Sequence, residues 1–111
     1  MASSIEFAEF VMEQLEGLGM LRMRKMFGEY CIYVNEKPIV LVCDDVVYIK
    51  MIPDLELLME RAERGVPYDG ATERYILDIE NRDLTREVIA ILEEATPMPK
   101  PKKLRVKKLK A

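Results

Sequence analysis

RKMFGEYCIYV, the segment Arg24–Val34, decides the fold of this chain. Within residues 21–27, Leu21, Met23 and Phe27 alternate with Arg22 and Arg24, which predicts a short strand. Gly28 then gives the backbone freedom to turn or bulge between two apolar runs. Residues 29–34 are rich in aromatic and β-branched side chains, which strands favour. The segment therefore predicts two consecutive strands that meet at Gly28.

Two more strands follow after short polar connections. Residues 35–38 have turn chemistry and lead into a nearly continuous apolar run at residues 39–43. The Asp44-Asp45 pair makes the next tight turn, before an apolar run at residues 46–51. Because connections this short join antiparallel neighbours, the four strands predict an antiparallel meander.

Helical patterns flank this meander. Apolar residues recur at helical spacing up to about residue 18, with capping-box spacing between Ser3 and Glu6. A second apolar stripe begins at Pro53, a residue suited to the first position of a helix. Gly65 is a plausible stop for that second helix.

The last part of the sequence completes an α+β pattern. Residues 74–79 predict a fifth strand, and Asp83 can cap a final helix that ends before Thr96. The order α-β-β-β-β-α-β-α predicts a two-layer α+β domain over residues 1–97, with a mostly antiparallel sheet of four to five strands and flanking helices. The third and fourth strands are apolar on both faces. We therefore expect another helix or a partner chain to cover the second sheet face.

A family resemblance rests on the order and spacing of pieces that are each a strand or a loop. These are RKMFG at residues 24–28, Tyr30 and Tyr33, the turn at 35–38, the strand at 39–42, DVVYIK at 45–50, GVPY at 65–68 and Arg74-Tyr75. Together they resemble the N-terminal domain of the TfoX (Sxy) family of bacterial competence regulators, over about residues 8–96. The resemblance implies an α+β fold without a recognised active site and a link to the regulation of competence genes. Longer family members carry a second, C-terminal domain, so the resemblance is to a stand-alone member.

The charges of the chain are separated into blocks. The net charge is −3, but seven of the 17 Lys and Arg residues lie in residues 100–111, which hold no acid; ten cations are left against 20 acids in residues 1–99. We expect residues 98–111 to form a basic, flexible tail. Its candidate interaction residues are Lys102, Lys103, Arg105, Lys107, Lys108 and Lys110.

Several roles suit this basic tail. It would serve as a phosphate-binding arm, as a membrane-surface contact, or as a clamp on the acidic body. Its apolar residues form no wide stripe at helical spacing, so we expect no membrane contact. A nucleic-acid arm and a disordered extension without function remain equal alternatives.

Three cations outside the tail are further candidates for binding a phosphate or an acidic partner. They are Arg24, Lys25 and Lys50, which would form one cluster if the strands at residues 22–27 and 46–51 lie close together. The alternative is a solvated strand edge, paired with nearby acids, whose charges discourage aggregation.

The sequence offers little for catalysis. It has no histidine, the commonest general base and metal ligand. Its two cysteines cannot make a four-thiolate zinc site, and its glycines form no phosphate-cradling loop. Asp44-Asp45 would hold a cation only with more converging oxygens, and adjacent acids in a hairpin usually form a turn. We therefore expect a non-enzymatic domain with no metal and no cofactor; an enzyme would need a pocket lined by tyrosines beside a Lys or Glu.

Cys31 and Cys43 flank the predicted hairpin at residues 35–38. If paired residues have numbers that sum to 74, the two cysteines lie directly opposite each other. If the sum is 73, their sulfurs lie on opposite faces, and no disulfide can form. Reduced thiols are expected in either register in a cytoplasmic chain.

The sequence thus favours a non-enzymatic regulatory or interaction domain, and the family resemblance implies a link to transcription regulation. Its partner would be another protein or a second copy of the chain on the apolar sheet. The alternative is a nucleic-acid-binding accessory protein that uses the tail. Glutamates interrupt the first helical pattern, which fits neither a signal peptide nor a membrane span, so we expect a cytoplasmic location.

Overall fold

The computed structural model describes residues 4–26 and 28–97 of the chain, and it confirms the α+β prediction. Two helices pack on one face of a six-stranded sheet, one strand more than the largest number predicted. The helices are α1, Ile5–Gln14, and α2, Arg82–Ala95. The strands are β1 Leu21–Met26, β2 Glu29–Val34, β3 Lys37–Cys43, β4 Val46–Ile49, β5 Arg64–Gly65 and β6 Arg74–Ile76.

All neighbouring strands are antiparallel, in the order β1-β2-β3-β4-β6-β5. The predicted meander is therefore present as β1 to β4. Gly28 has a φ of +83°, the left-handed conformation that its place between two strands suggested.

Two-residue turns close the β2–β3 and β3–β4 hairpins of the meander. Asn35 and Glu36 have φ values of 53° and 69°, and Asp44 and Asp45 have 55° and 57°. Two successive left-handed residues are typical of type I′ turns, whose twist matches the flanking strands. The first turn is shorter than predicted, because Lys37 already pairs with Val34 at the start of β3.

The predicted middle helix is the largest error in the secondary structure. Only a 3₁₀ helix, Pro53–Leu55, forms there, and irregular turns follow it. Gly65 then pairs with Arg74 instead of ending a helix. This pairing satisfies backbone groups at the sheet edge and overrides a weak local helix propensity.

Both helix caps also differ from the prediction. The Oγ of Ser4 accepts a hydrogen bond from the Phe7 N–H at 3.2 Å, while Ser3 lies outside the described residues. Asn81 caps α2 by accepting from the Leu84 N–H at 3.2 Å. Asp83 is inside the first turn of α2, where its charge favours the helix dipole.

The hydrophobic core fills the space between the helices and one sheet face. Alternate residues of the central strands point into it, including Ile32, Val40 and Ile49, all of which are buried. They meet the apolar stripes of α1 and α2, whose buried members are Ala8, Val11, Val88, Ile89 and Leu92. Leu55 and Met59 extend this core beneath α2.

Polar contacts of Asn35 join the β2–β3 hairpin to Met20, the residue before β1, and to α2. Its backbone N–H donates to the Met20 carbonyl at 2.7 Å, and its Oδ1 accepts from the Met20 N–H at 2.9 Å. Its Nδ2 donates to Glu93 at 3.3 Å. Lys37 Nζ lies 3.0 Å from the same carboxylate and donates to the Glu93 carbonyl at 2.9 Å. Hydrogen bonds from Lys37 and then Asn35 lower the pKa of Glu93, which favours its charged form.

Candidate functional site

The sheet face opposite the helices, named the open face here, carries alternate residues of five strands. Strand register places Arg24, Cys31, Leu41, Tyr48 and Ile76 in one row across it. The rows on either side add Arg22, Met26, Glu29, Tyr33, Cys43, Val46, Lys50 and Arg74. Neither α1 nor α2, the helices of the described residues, packs on this face.

A depression lies at each end of the open face. At one end, Tyr68 in the loop before β6 faces Met26 and Cys43 across a cavity of about 420 Å³. At the other end lies a depression of about 270 Å³, named the hollow here. The hollow is lined by Cys31, Pro38, Ile39, Val40, Leu41, Lys50, Arg74, Leu92 and Thr96.

A β-bulge in β3 lies at the hollow. Ile32 pairs with Val40 but Tyr33 pairs with Pro38, so Ile39 is an extra residue in β3. Such an insertion bends a strand and locally breaks its ladder. The β3–β4 pairing runs only as far as Val40 and Ile49, so the hollow lies beyond the last paired residues.

Arg74 and Lys50 bring positive charge to the hollow. They lie one position beyond the Ile49–Tyr75 pair of β4 and β6, which makes them neighbours. The Nε of Arg74 is buried, and no hydrogen bond joins it to another residue in the described part of the chain. A buried donor without a partner is costly, so the Arg74 side chain retains hydrogen-bonding capacity that these residues do not satisfy.

The other two cations of the open face differ in their contacts. Arg22 lies 3.0 Å from the Glu36 carboxylate, and its guanidinium lies 4.2 Å from the centre of the Tyr33 ring. Arg24 is exposed, and no ion pair between described residues involves it. The face therefore offers Arg24, Lys50 and Arg74 to an external anion.

Both thiols of the open face are neutral near pH 7. Burial raises the pKa of Cys31, although a Tyr33 hydrogen bond and the guanidinium of Arg74 oppose the shift. Burial raises the pKa of Cys43 to about 11, and the Glu29 carboxylate adds to the shift. Because Cys31 stays protonated, it supplies no counter-charge to Arg74.

The hairpin register differs from both predicted alternatives. Cys31 pairs with Leu41, so the paired numbers sum to 72, and Cys43 lies two residues farther along the same face. Such diagonal neighbours are about 7–8 Å apart. That is longer than the usual Cα separation across a disulfide, and both cysteines are free.

We expect Cys43 to react slowly with iodoacetamide in the folded protein. Thiolate is the reacting form, so a pKa of about 11 lowers its reactive fraction at pH 7 by on the order of a hundredfold relative to an ordinary thiol. Mass spectrometry of alkylated peptides across pH 7–11 would show the rate rising throughout. The denatured protein is the control, and equal rates in the folded and denatured protein at pH 7 would contradict the expectation.

The structure separates the three predicted strand cations. Arg24 and Lys25 are successive in β1 and therefore point to opposite faces. Lys25 pairs with Tyr30, a core residue, and so lies on the helix side of the edge strand. Because β2 and β3 stand between β1 and β4, Arg24 and Lys50 are about 14 Å apart across the sheet. The proximity required for one Arg24–Lys25–Lys50 cluster is absent.

Other predicted site residues have different outcomes. The tail cations Lys102, Lys103, Arg105, Lys107, Lys108 and Lys110 lie outside the described residues. Arg22 and Arg74 were not among the predicted site residues. Strand alternation was the available signal for both, since each is one position from a residue of the core face.

A tyrosine-lined pocket, a metal site and a membrane-spanning helix have little support among the described residues. Tyr30 is in the core, while Tyr33 and Tyr48 lie on the open face, so these tyrosines do not line one pocket. Within residues 4–26 and 28–97, no three acidic or cysteine side chains cluster as metal ligands would. The helices of that same part of the chain lack the length and apolarity needed to cross a membrane.

Comparisons with known proteins place the chain in a family. The family model of the TfoX N-terminal domain matches residues 13–81. A protein of Spirochaeta aurantia is 32% identical over 109 residues, which cover 96% of this chain and 95% of that protein. Its name is "Uncharacterized 12.7 kDa protein in trpE 5'region". The chain belongs to the TfoX N-terminal domain family.

Proposed function

We propose that this domain is a non-enzymatic interaction module in the regulation of transcription, and that it binds a protein partner on the open face. The observation that carries the proposal is the row Arg24, Cys31, Leu41, Tyr48 and Ile76, which runs across five strands and is covered by neither α1 nor α2. A sheet with one apolar face beneath helices ordinarily presents polar residues on the other. A continuous apolar centre there is typical of a docking surface.

The open face also has the anatomy of a protein interface. Leu41 and Tyr48 are half-buried at its centre, and charged residues lie toward its margins. Interfaces commonly combine an apolar centre with a polar rim, and Tyr and Arg are frequent anchors. The fold supplies this surface on a rigid sheet rather than on loops.

Substitution of Leu41 by glutamine tests the proposal. We expect L41Q to lose the proteins that the native chain captures from an extract of its source organism, because a polar group would occupy the centre of the interface. Affinity capture with quantitative mass spectrometry measures the loss. The matched control is L57Q, since Leu57 is 87% exposed and lies on the segment before β5. Thermal unfolding of each variant shows that it is folded, and identical captured sets for L41Q and the native chain would contradict the proposal.

A nucleic-acid-binding role is the second candidate. It is supported by Arg24, Lys50 and Arg74 of the open face, which form no ion pair with another described residue. The position of Thr96 at the hollow, shortly before the seven cations of residues 100–111, also supports it. Binding would weaken with salt, with a log–log slope of about −0.9 for each duplex phosphate neutralised. Unchanged DNA and RNA affinity after deletion of residues 98–111 would exclude the tail from this role.

A further inference from the structure

We propose that the hollow is a carboxylate-binding subsite and that the partner docks an extended acidic segment there, with apolar side chains on Leu41 and Tyr48. This inference rests on the proposed docking function and names the chemistry of the partner.

Arg74 is the first reason to assign an anion to the hollow. Its Nε is buried, and no described residue accepts a hydrogen bond from it. Lys50 lies beside Arg74 with its side chain exposed. No ion pair between described residues joins either cation to Glu73, the acid next to Arg74 in sequence. A guanidinium can bind a carboxylate through two parallel hydrogen bonds, while an ammonium adds a point charge.

The apolar floor of the same region is the second reason. Cys31 and Leu41 line the hollow, and Tyr48 continues their row. A free inorganic anion would leave these surfaces exposed to water. A segment in which acidic and apolar residues alternate would place carboxylates at Arg74 and Lys50 and bury its apolar side chains on the floor.

Charge complementarity excludes the tail of this chain as the occupant. Residues 100–111 hold seven cations and no acid, so they would be repelled from the hollow. Like charges brought together in an interface cost several kcal/mol.

The charges at the far end of the open face favour a protein over a nucleic acid. Glu29 lies on that face, and the Asp44-Asp45 turn is at the same end, where the Glu29 carboxylate accepts from the Asp44 N–H at 3.1 Å. A continuous phosphate backbone would cross these acids, whereas a short segment need only meet the cations. The ring of Tyr33 is also covered by Arg22, so it is not free for base stacking.

Fluorescence anisotropy with the full chain tests the subsite. The probe is a labelled peptide of three Glu-Leu repeats, and the control probe has three Lys-Leu repeats. We expect only the acidic peptide to bind. Because R74M removes the guanidinium that would bind a carboxylate of the peptide, we expect it to weaken this binding about tenfold, and we expect K50M to weaken it about threefold.

R64M is the matched control for loss of a cation. Arg64 is exposed on β5 and its guanidinium lies 5.8 Å from the centre of the Tyr75 ring, away from the hollow. We expect less than a twofold change for R64M. Thermal unfolding shows whether R74M is folded. Because Lys50 is exposed, K50M tests the subsite without changing a buried side chain.

Three outcomes would overturn the subsite. They are no binding of the acidic peptide, equal effects of R74M and R64M, and tighter Arg74-dependent binding of a twelve-residue oligothymidylate than of the peptide. The last outcome would assign the hollow to nucleic acid. If L41Q abolishes partner capture while R74M does not affect peptide binding, protein docking on the open face is supported and only carboxylate binding at the hollow is contradicted.

Discussion

Replacing Ile49 by alanine is expected to lower the free energy of unfolding by about 2–5 kcal/mol. Ile49 is fully buried in β4, beneath the helices. Val40 of β3 and Tyr75 of β6 pair with it on the two sides. Because both neighbouring strands are held by their own ladders, the structure can close little of the resulting cavity. Urea unfolding followed by circular dichroism measures the change.

The adjacent Tyr48 provides the control for this substitution. It is half-buried on the open face, so Y48A leaves the core intact. We expect Y48A to cost less than half of the stability lost in I49A, while it weakens partner binding. Equal losses of stability in the two variants would mean that the open face is packed as tightly as the core, which would contradict the assignment of faces.

Replacing Gly19 by alanine is expected to cost about 1–3 kcal/mol of stability. Gly19 has a φ of +150°, and a Cβ there would lie 2.7 Å from Asn35 Nδ2 and 2.8 Å from Asn35 Oδ1. These atoms are hydrogen-bonded to Glu93 and to the Met20 N–H. The Asn35 side chain therefore cannot move aside without breaking the contacts that join the β2–β3 hairpin to α2 and to Met20.

Replacing Gly70 by alanine distinguishes the effect of the clash at Gly19 from the effect of backbone strain. Its φ is +86°, and a Cβ there would meet no atom within 4 Å. We therefore expect G70A to lower the stability by only about 1–2 kcal/mol, which is the cost of holding an alanine in the left-handed conformation. Thermal unfolding of both variants compares them directly. The Asn35 contact would be shown to be unimportant if G19A were no less stable than G70A.

Local sequence patterns determined much of the sheet in advance. The predicted bounds of β2, residues 29–34, match the structure, because a glycine precedes this strand and a polar turn follows it. Alternation and short connections were enough to give antiparallel pairing from β1 to β4. The period-2 pattern is local, so it can be recognised without knowledge of distant contacts.

The errors lie where distant contacts decide the structure. Residues 53–65 have a helical stripe, yet Gly65 pairs with Arg74, which lies beyond an irregular loop. The register of the Cys31 hairpin depends on a two-residue turn and on the extra residue Ile39. Neither feature changes the apolar composition of the strands, so the pattern alone could not distinguish the registers.

The hollow was not predictable from any single segment. Arg74 reaches Lys50 only because β6 crosses to pair with β4. Thr96 lies at the same place because α2 ends near the start of β3, where Lys37 bonds the Glu93 carbonyl. Lys50 could be recognised as a candidate from the sequence. Arg74, the second cation of the hollow, comes to lie beside it only through the tertiary structure.

The positions of Ser4 and Thr96 at opposite ends of β3 set rules for tethering this domain. The Ser4 N–H donates to Asp45 beyond the last residue of β3, whereas Thr96 lies beside Pro38 near its first. A seven-residue strand spans about 23 Å. A protein fused ahead of Ser4 would therefore stand clear of the hollow, whereas one fused directly after Pro97 would crowd its mouth. Affinity handles for binding studies belong on the amino-terminal side.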